Sequence, residues 1–314
     1  MSTENSSLMI QKFRIPDFIK EGDEVAIIST ARKISEEELK PAIDFFEKQN
    51  LKVRLGSHIF AVSNQFAGSD EQRIADFQQM LDDENIKAIF FARGGYGSVR
   101  IIDKIDFTKF LENPKWLCGY SDISVIHSHV HNLGVQTLHC TMPINFPQNG
   151  RTNNPLQTMM TALSGKINSY KIPSHYLNKM GDSEAIVCGG NLSILYSING
   201  SVSDINTDGK ILFIEDLDEY LYHIDRMMMC LKRAGKLSNL AGLIVGGMSD
   251  MNDNTVSFGK SAEEIISECV AEYSYPVCFG FPAGHIAENN ALVLGAKLKL
   301  RVDKEYCFVE NGGC

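Results

Sequence analysis

Residues 116–130 read WLCGYSDISVIHSHV. Trp116 to Tyr120 is a short apolar run, and Ile123 to Val130 has the spacing of an amphipathic helix. A strand, a sharp turn and a helix start therefore meet at Ser121. Two readings of that serine stand open on the pattern. Serine ahead of an aspartate and an apolar run is a common helix N-cap, although Ser124, three residues on, completes no capping box. A hydroxyl at the carboxyl end of a strand also suits a nucleophile, which needs a base and a group to orient that base. GYSDIS is not the GxSxG elbow, because Ile123 takes the place of the second glycine.

The same alternation extends to both sides. EVAIIST (24–30), LKVRLG (51–56), IKAIFFA (86–92), KWLCGY (115–120) and VQTLH (135–139) read as five strands. Helices are predicted over 35–49, where Ser35 and Glu38 are spaced as a capping box, and over 69–83. Strands bracketed by helices mean right-handed crossovers and a mainly parallel sheet, so residues 1–146 are expected to form an N-terminal α/β domain with flanking helices. Residues 147–184 are polar and rich in turn formers at the start, and read as a linker region with a helix of its own. Apolar runs resume at 185–198, 210–216, 241–247, 275–281 and 291–302, with helical segments at 219–235 and 260–273. A smaller C-terminal α/β domain over 185–314 is the natural reading.

Composition bounds the function. The chain has 314 residues, 44% apolar and 22% charged, which is ordinary for a globular protein. Its formal charge of −9 argues against nucleic acid and against an anionic membrane surface as partners. No apolar run reaches the length of a membrane span, and MSTENSSLMIQKFRIPDF lacks the basic start and apolar core of a signal peptide. A cytoplasmic location is the expectation. The eight cysteines include no CxxC pair and sit mostly in apolar segments, as reduced buried thiols do. A small or peptidic substrate follows.

In a parallel sheet, ligands gather beyond the carboxyl ends of the strands. Three segments end suggestively there. IKAIFFA runs into ARGGYGS (92–98), a glycine-rich turn that matches neither a P-loop nor a dinucleotide fingerprint. KWLCGY runs into Ser121. KILFI runs into Glu215 and Asp216, at least one of which is expected at a domain edge with restricted solvent, where a carboxylate orients an imidazole. His285 lies in GFPAGHIAENN, a loop whose Pro282 and Gly284 constrain the backbone, and suits a base. His139 ends a strand, either lining the site or satisfied in the core. In HSHVH, His127 and His131 share a helical face that is expected to point to the surface; a metal site built on them is the competing reading.

Taken in order, these segments resemble the LD-carboxypeptidase family of serine peptidases, which includes murein tetrapeptide carboxypeptidases and microcin-immunity peptidases. GDEVAIIST is similar to the family's opening strand, ARGGYGS with VRIIDKIDF to its glycine turn, and PKWLCGYSDIS to its nucleophile motif. LFIEDLDEYLYHIDRMM resembles the acidic motif and GFPAGHIAENNALVLG the histidine motif. Two departures stand out: HCTM (139–142) where an HGPM-like motif aligns, and Ser-Thr-Ala (29–31) where the family has Ser-Pro. Both reshape the pocket without touching the motifs that carry the chemistry.

The resemblance implies Ser121 as nucleophile, His285 as general base and Glu215 as its orienting partner. It implies an oxyanion hole from the backbone N–H groups of Asp122 and of the Gly94–Gly95 turn, Gly95 in particular. Arg93 is a candidate anchor for a substrate carboxylate beside Gly94, or else holds the turn by a salt bridge. The expected activity is release of terminal D-alanine from murein tetrapeptides in cell-wall recycling, by a cytoplasmic homodimer with no cofactor or metal. The alternatives are a microcin-immunity-type peptidase acting on a peptidyl or aminoacyl nucleotide, and a non-catalytic small-molecule-binding protein.

Overall fold

The structure, a computed structural model, describes residues 13–311. Its first part alternates strand and helix: β1 (Glu24–Ile28), α1 (Glu36–Lys48), β2 (Lys52–Leu55), α2 (Asp70–Asp82), β3 (Ile86–Phe91), α3 (Thr108–Glu112), β4 (Trp116–Gly119), α4 (Ser124–Asn132) and β5 (Thr137–His139). The five strands fall on the five apolar runs. The capping box of Ser35 and Glu38 starts α1, and Ser69 with Gln72 forms a second one at α2. The 147–184 stretch carries α5 (Asn154–Leu163), β6 (Asn168–Pro173) and the beginning of β7 (Gly181–Asn191). The chain continues through α6 (Leu192–Ser197), β8 (Ile211–Leu217), α7 (Leu221–Arg233), β9 (Gly242–Ser249) and α8 (Ala262–Cys269). It ends with β10 (Val277–Phe279), β11 (Leu292–Leu294), β12 (Lys297–Val302) and β13 (Tyr306–Asn311).

Two sheets result. The first runs β11-β5-β4-β3-β1-β2, parallel except for β11, and the second runs β10-β9-β8-β7-β12-β13-β6. Strands β7 to β10 are parallel, and β12, β13 and β6 extend that sheet in antiparallel fashion. The central parallel strands of each sheet are buried on both faces by apolar clusters, which is why they read as continuous apolar runs. In the first sheet β2 lies on one side of β1 and β3 on the other. The crevice beyond the carboxyl ends of β1 and β3 is the topological switch point at which open α/β sheets bind ligands.

Strand β11 ties the two halves. It comes from the last part of the chain yet pairs with β5 of the first sheet, Val293 opposite Leu138. Its other edge is closed by a side chain: Asn311 Oδ1 accepts the Val293 N–H at 2.5 Å, and Asn311 Nδ2 donates to the Val293 carbonyl at 3.2 Å. An amide thus replaces the missing neighbouring strand. Asn311→Leu strands two buried backbone groups and is expected to destabilise the protein by about 2–5 kcal/mol in urea unfolding; an unchanged midpoint would contradict that bridging role.

Candidate active site

Ser121 is one of the few non-glycine residues with positive φ, at 64°. That left-handed conformation is unfavourable for serine and persists only where the surroundings hold it. Several contacts do so. The His127 ring donates from Nε2 to the Gly119 carbonyl at 2.9 Å and takes the Thr137 hydroxyl on Nδ1, also at 2.9 Å, bracing the end of β4 from α4. The Asp122 carboxylate accepts the Ser98 N–H at 2.8 Å, and Ser98 Oγ lies 2.7 Å from Thr30 Oγ1. The elbow at Ser121, the glycine turn after β3 and the end of β1 are thereby locked together. Burial raises the Asp122 pKa, against the hydrogen bonds from Ser98 and Gly97 that lower it.

Gly94 of the turn packs directly against the Ser121 side chain. A Cβ at Gly94 would sit 3.0 Å from Ser121 Oγ, so only glycine leaves the hydroxyl open at that position. On its other side Ser121 begins a short 3₁₀ turn, Ser121–Ile123, that leads into α4. The hydroxyl caps no helix. The first N–H groups of such a turn have no intrahelical acceptor and favour negative charge.

The second sheet supplies the partner groups. Glu215 and Asp216 sit on β8, and successive strand residues point to opposite faces. Both are buried, which places them deeper than the domain-edge position expected. Asp216 accepts Asn191 Nδ2, the Ser193 N–H and the Leu217 N–H, each at 2.9 Å, and so fixes the start of α6. Burial and the adjacent Glu215 charge push its pKa up to about 7. Glu215 faces the loop after β10. One oxygen, Oε2, accepts both the backbone N–H of His285 at 3.1 Å and its ring Nδ1–H at 2.7 Å. Gly284, at φ +103°, lies so close that a Cβ there would come within 2.6 Å of the same oxygen.

With Nδ1 donating to the carboxylate, Nε2 is left as an acceptor, and it lies 3.0 Å from Ser121 Oγ. Burial alone would lower the His285 pKa. The hydrogen bond to Glu215, with the charges of Glu215 and Asp216, outweighs it and holds the imidazole above its ordinary value. The Tyr120 ring packs 4.8 Å from the imidazole, centroid to centroid, and walls one side. Chemically, the array couples a hydroxyl to a base whose protonated form is stabilised.

Ser121, His285 and Glu215 therefore come together beyond the carboxyl ends of β4, β8 and β10, with Gly94 of the turn after β3 against Ser121, Asp122 next to it in the chain and Gly95 next along the turn. Arg93 turns away: its guanidinium donates to the Lys33 carbonyl and lies 3.8 Å from Glu38. The surface position expected for the histidine cluster is corrected. His127 and His131 are buried because α4 packs between both sheets, and His131 packs at a tilt against Phe13. Burial pushes His127 down to about 4 and His131 to about 3, so both are neutral. His139 is also buried and neutral, edge-on to Tyr120 and Phe213, with neither ring nitrogen hydrogen-bonded among the described residues.

Sequence reasoning passed over three participants: the Asp122 side chain, the Ser124 hydroxyl that accepts the Asn191 N–H at 2.9 Å, and Arg32, whose side chain crosses Gly95. The aspartate was visible as the residue beside Ser121. The other two depend on contacts between distant segments and leave no local signal.

Comparison with known proteins bears on this arrangement. The family model for the LD-carboxypeptidase N-terminal domain matches residues 25–140, and that for the LD-carboxypeptidase C-terminal domain matches residues 184–300. The chain is 33% identical over 308 residues to a probable murein peptide carboxypeptidase of Bacillus subtilis, covering 95% of this chain and 94% of that one. It is 27% identical over 281 residues to the murein tetrapeptide carboxypeptidase of Pseudomonas aeruginosa, covering 86% and 91%. A muramoyltetrapeptide carboxypeptidase from Oxalobacter formigenes shares the fold at a TM-score of 0.84 and 24% identity, over 92% of this chain and 98% of that one.

The electrostatics can be checked directly. By NMR, His285 is expected to titrate above the ordinary value of about 6.5. In Glu215→Gln the midpoint should fall below it, because burial remains while the largest raising influence is gone. An unmoved midpoint would contradict the assigned coupling.

Proposed function

This chain belongs to the LD-carboxypeptidase family, and from that premise we propose that it is a serine hydrolase that removes the terminal D-alanine of murein tetrapeptides. The observation that carries the reading is the continuous hydrogen-bonded line from Glu215 Oε2 through His285 to Ser121 Oγ, at 2.7 and 3.0 Å.

The reaction follows from that line. Ser121 Oγ attacks the carbonyl before the terminal residue while His285 Nε2 takes its proton. Glu215 holds the Nδ1 proton in place and stabilises the imidazolium that forms. The N–H groups of Asp122 and Gly95 receive the developing oxyanion; one such donor is worth about 3 kcal/mol of barrier in other serine hydrolases. His285 returns the proton to the amine of D-alanine, which leaves, and water then clears the acyl-enzyme by the same route in reverse. The names of the Bacillus and Pseudomonas relatives support a murein peptide as substrate. We place the enzyme in cell-wall recycling in the cytoplasm, as a homodimer, in line with the family resemblance.

The test is release of D-alanine from purified murein tetrapeptide, followed by mass spectrometry. Wild type should release it, and Ser121→Ala should be slower by at least about 10³-fold. Equal release by both would remove Ser121 from the mechanism, and release by neither would contradict the murein substrate. Because the base must be neutral and its pKa is raised, kcat/KM should fall as pH drops through a limb above about 6.5. A limb below that value would contradict His285 as the base.

A further inference from the structure

A carboxypeptidase must recognise a free carboxylate one residue beyond the bond it cuts. Arg93, Arg73 and Arg100 come from the segments around the glycine turn, and each is already occupied. Arg93 lies against Lys33 and Glu38. Arg73 is buried against Asp70, and Arg100 reaches the same Asp70 carboxylate at 2.8 Å. Arg32 differs. It is exposed and makes no ion pair among the described residues.

Its position is set by backbone rather than by chance. The segment after β1 is pinned by the Ala67 N–H on the Ala31 carbonyl at 3.0 Å, the Lys33 N–H on the Gln65 carbonyl at 3.0 Å, and an isolated bridge between Arg32 and Phe66. From there the side chain crosses the glycine turn. Its Cδ and Nε lie 2.6 and 2.8 Å from where a Cβ on Gly95 would sit. Gly94, the preceding residue, abuts Ser121 Oγ at the corresponding 3.0 Å. Nucleophile and guanidinium therefore flank the same turn, one residue apart. Consecutive Cα atoms are about 3.8 Å apart, so the carboxylate of a terminal residue lies a similar span from the carbonyl under attack. Arg32 follows β1 and the glycine turn follows β3, at the switch point of the first sheet, and Ser121 follows the adjacent β4.

The geometry points to Arg32 as the residue that binds the C-terminal carboxylate of the released amino acid, making it the specificity determinant for a free chain end. The inference rests on the carboxypeptidase reading. Arg32 acts as a forked donor to two carboxylate oxygens, a geometry that a lysine reproduces only as a point charge.

The experiment measures calorimetric binding to full-length Ser121→Ala protein, which retains substrate without turnover. The probes are murein tetrapeptide and the same peptide ending in D-alaninamide. The Ser121→Ala parent should prefer the acid by about 10- to 100-fold. Adding Arg32→Met should collapse that preference to about 1, and Arg32→Lys should restore part of it. A folded Arg32→Met protein that keeps the full preference would overturn the assignment alone, as would a parent that binds acid and amide equally. A parent that binds neither peptide would overturn the murein reading and this inference together.

Discussion

Burying a carboxylate with 0% exposure is expensive unless its lone pairs find donors. Glu215 meets that condition on one side only. Oε2 receives two N–H groups, both from His285, while Oε1 has no partner among the described residues. The charge is therefore directed at a single imidazole, and that imidazole is the group facing Ser121. Much of the surrounding chain exists to keep this contact: the glycine at 284 that lets the loop close over the carboxylate, and the Ser249 hydroxyl that holds the His285 carbonyl at 2.7 Å.

The contact also spans the two sheets, so their relative placement has to be held tightly. Two features do this, and a bond within the second sheet carries the first of them to the base. Ser124, at the start of α4, accepts the Asn191 N–H at the end of β7. Asn191 in turn bonds Asp216, the neighbour of Glu215. Strand β11 carries the loop that follows His285 directly into the first sheet. Nucleophile and base are thus coupled through a short polar path as well as by their own hydrogen bond, and a shift of one sheet against the other would break several buried hydrogen bonds at once.

The strands of the first sheet were legible because both of its faces are covered, so each reads as a short apolar run bounded by turn residues. Strands β6 and β13 were not singled out. They alternate buried and exposed residues; NSYKIP carries too few apolar residues to stand out, and the apolar part of YCFVEN is confined to Tyr306–Val309 beside the chain end. The run at 291–302 read as one segment, yet Gly295, at φ +83°, breaks it into β11 and β12, which belong to different sheets. HSHVH misled because polar side chains on a helix suggest solvent, whereas α4 lies between the sheets and His127 has a structural hydrogen-bonding role. The motifs placed Ser121, Glu215 and His285, but that they meet depends on how the two sheets pack. Arg32 was illegible for the same reason: only the adjacency of β1 and β3 brings it onto Gly95.

The central claim is that Ser121 is made nucleophilic by His285. The most direct measurement is covalent labelling by a small alkyl fluorophosphonate, read by intact mass and peptide mapping in wild type and His285→Ala. The account predicts a single phosphonyl adduct on Ser121 in wild type and little or none in His285→Ala, where the hydroxyl remains but its base is gone. Equal labelling of Ser121 in both proteins, or an adduct on another residue, would contradict it.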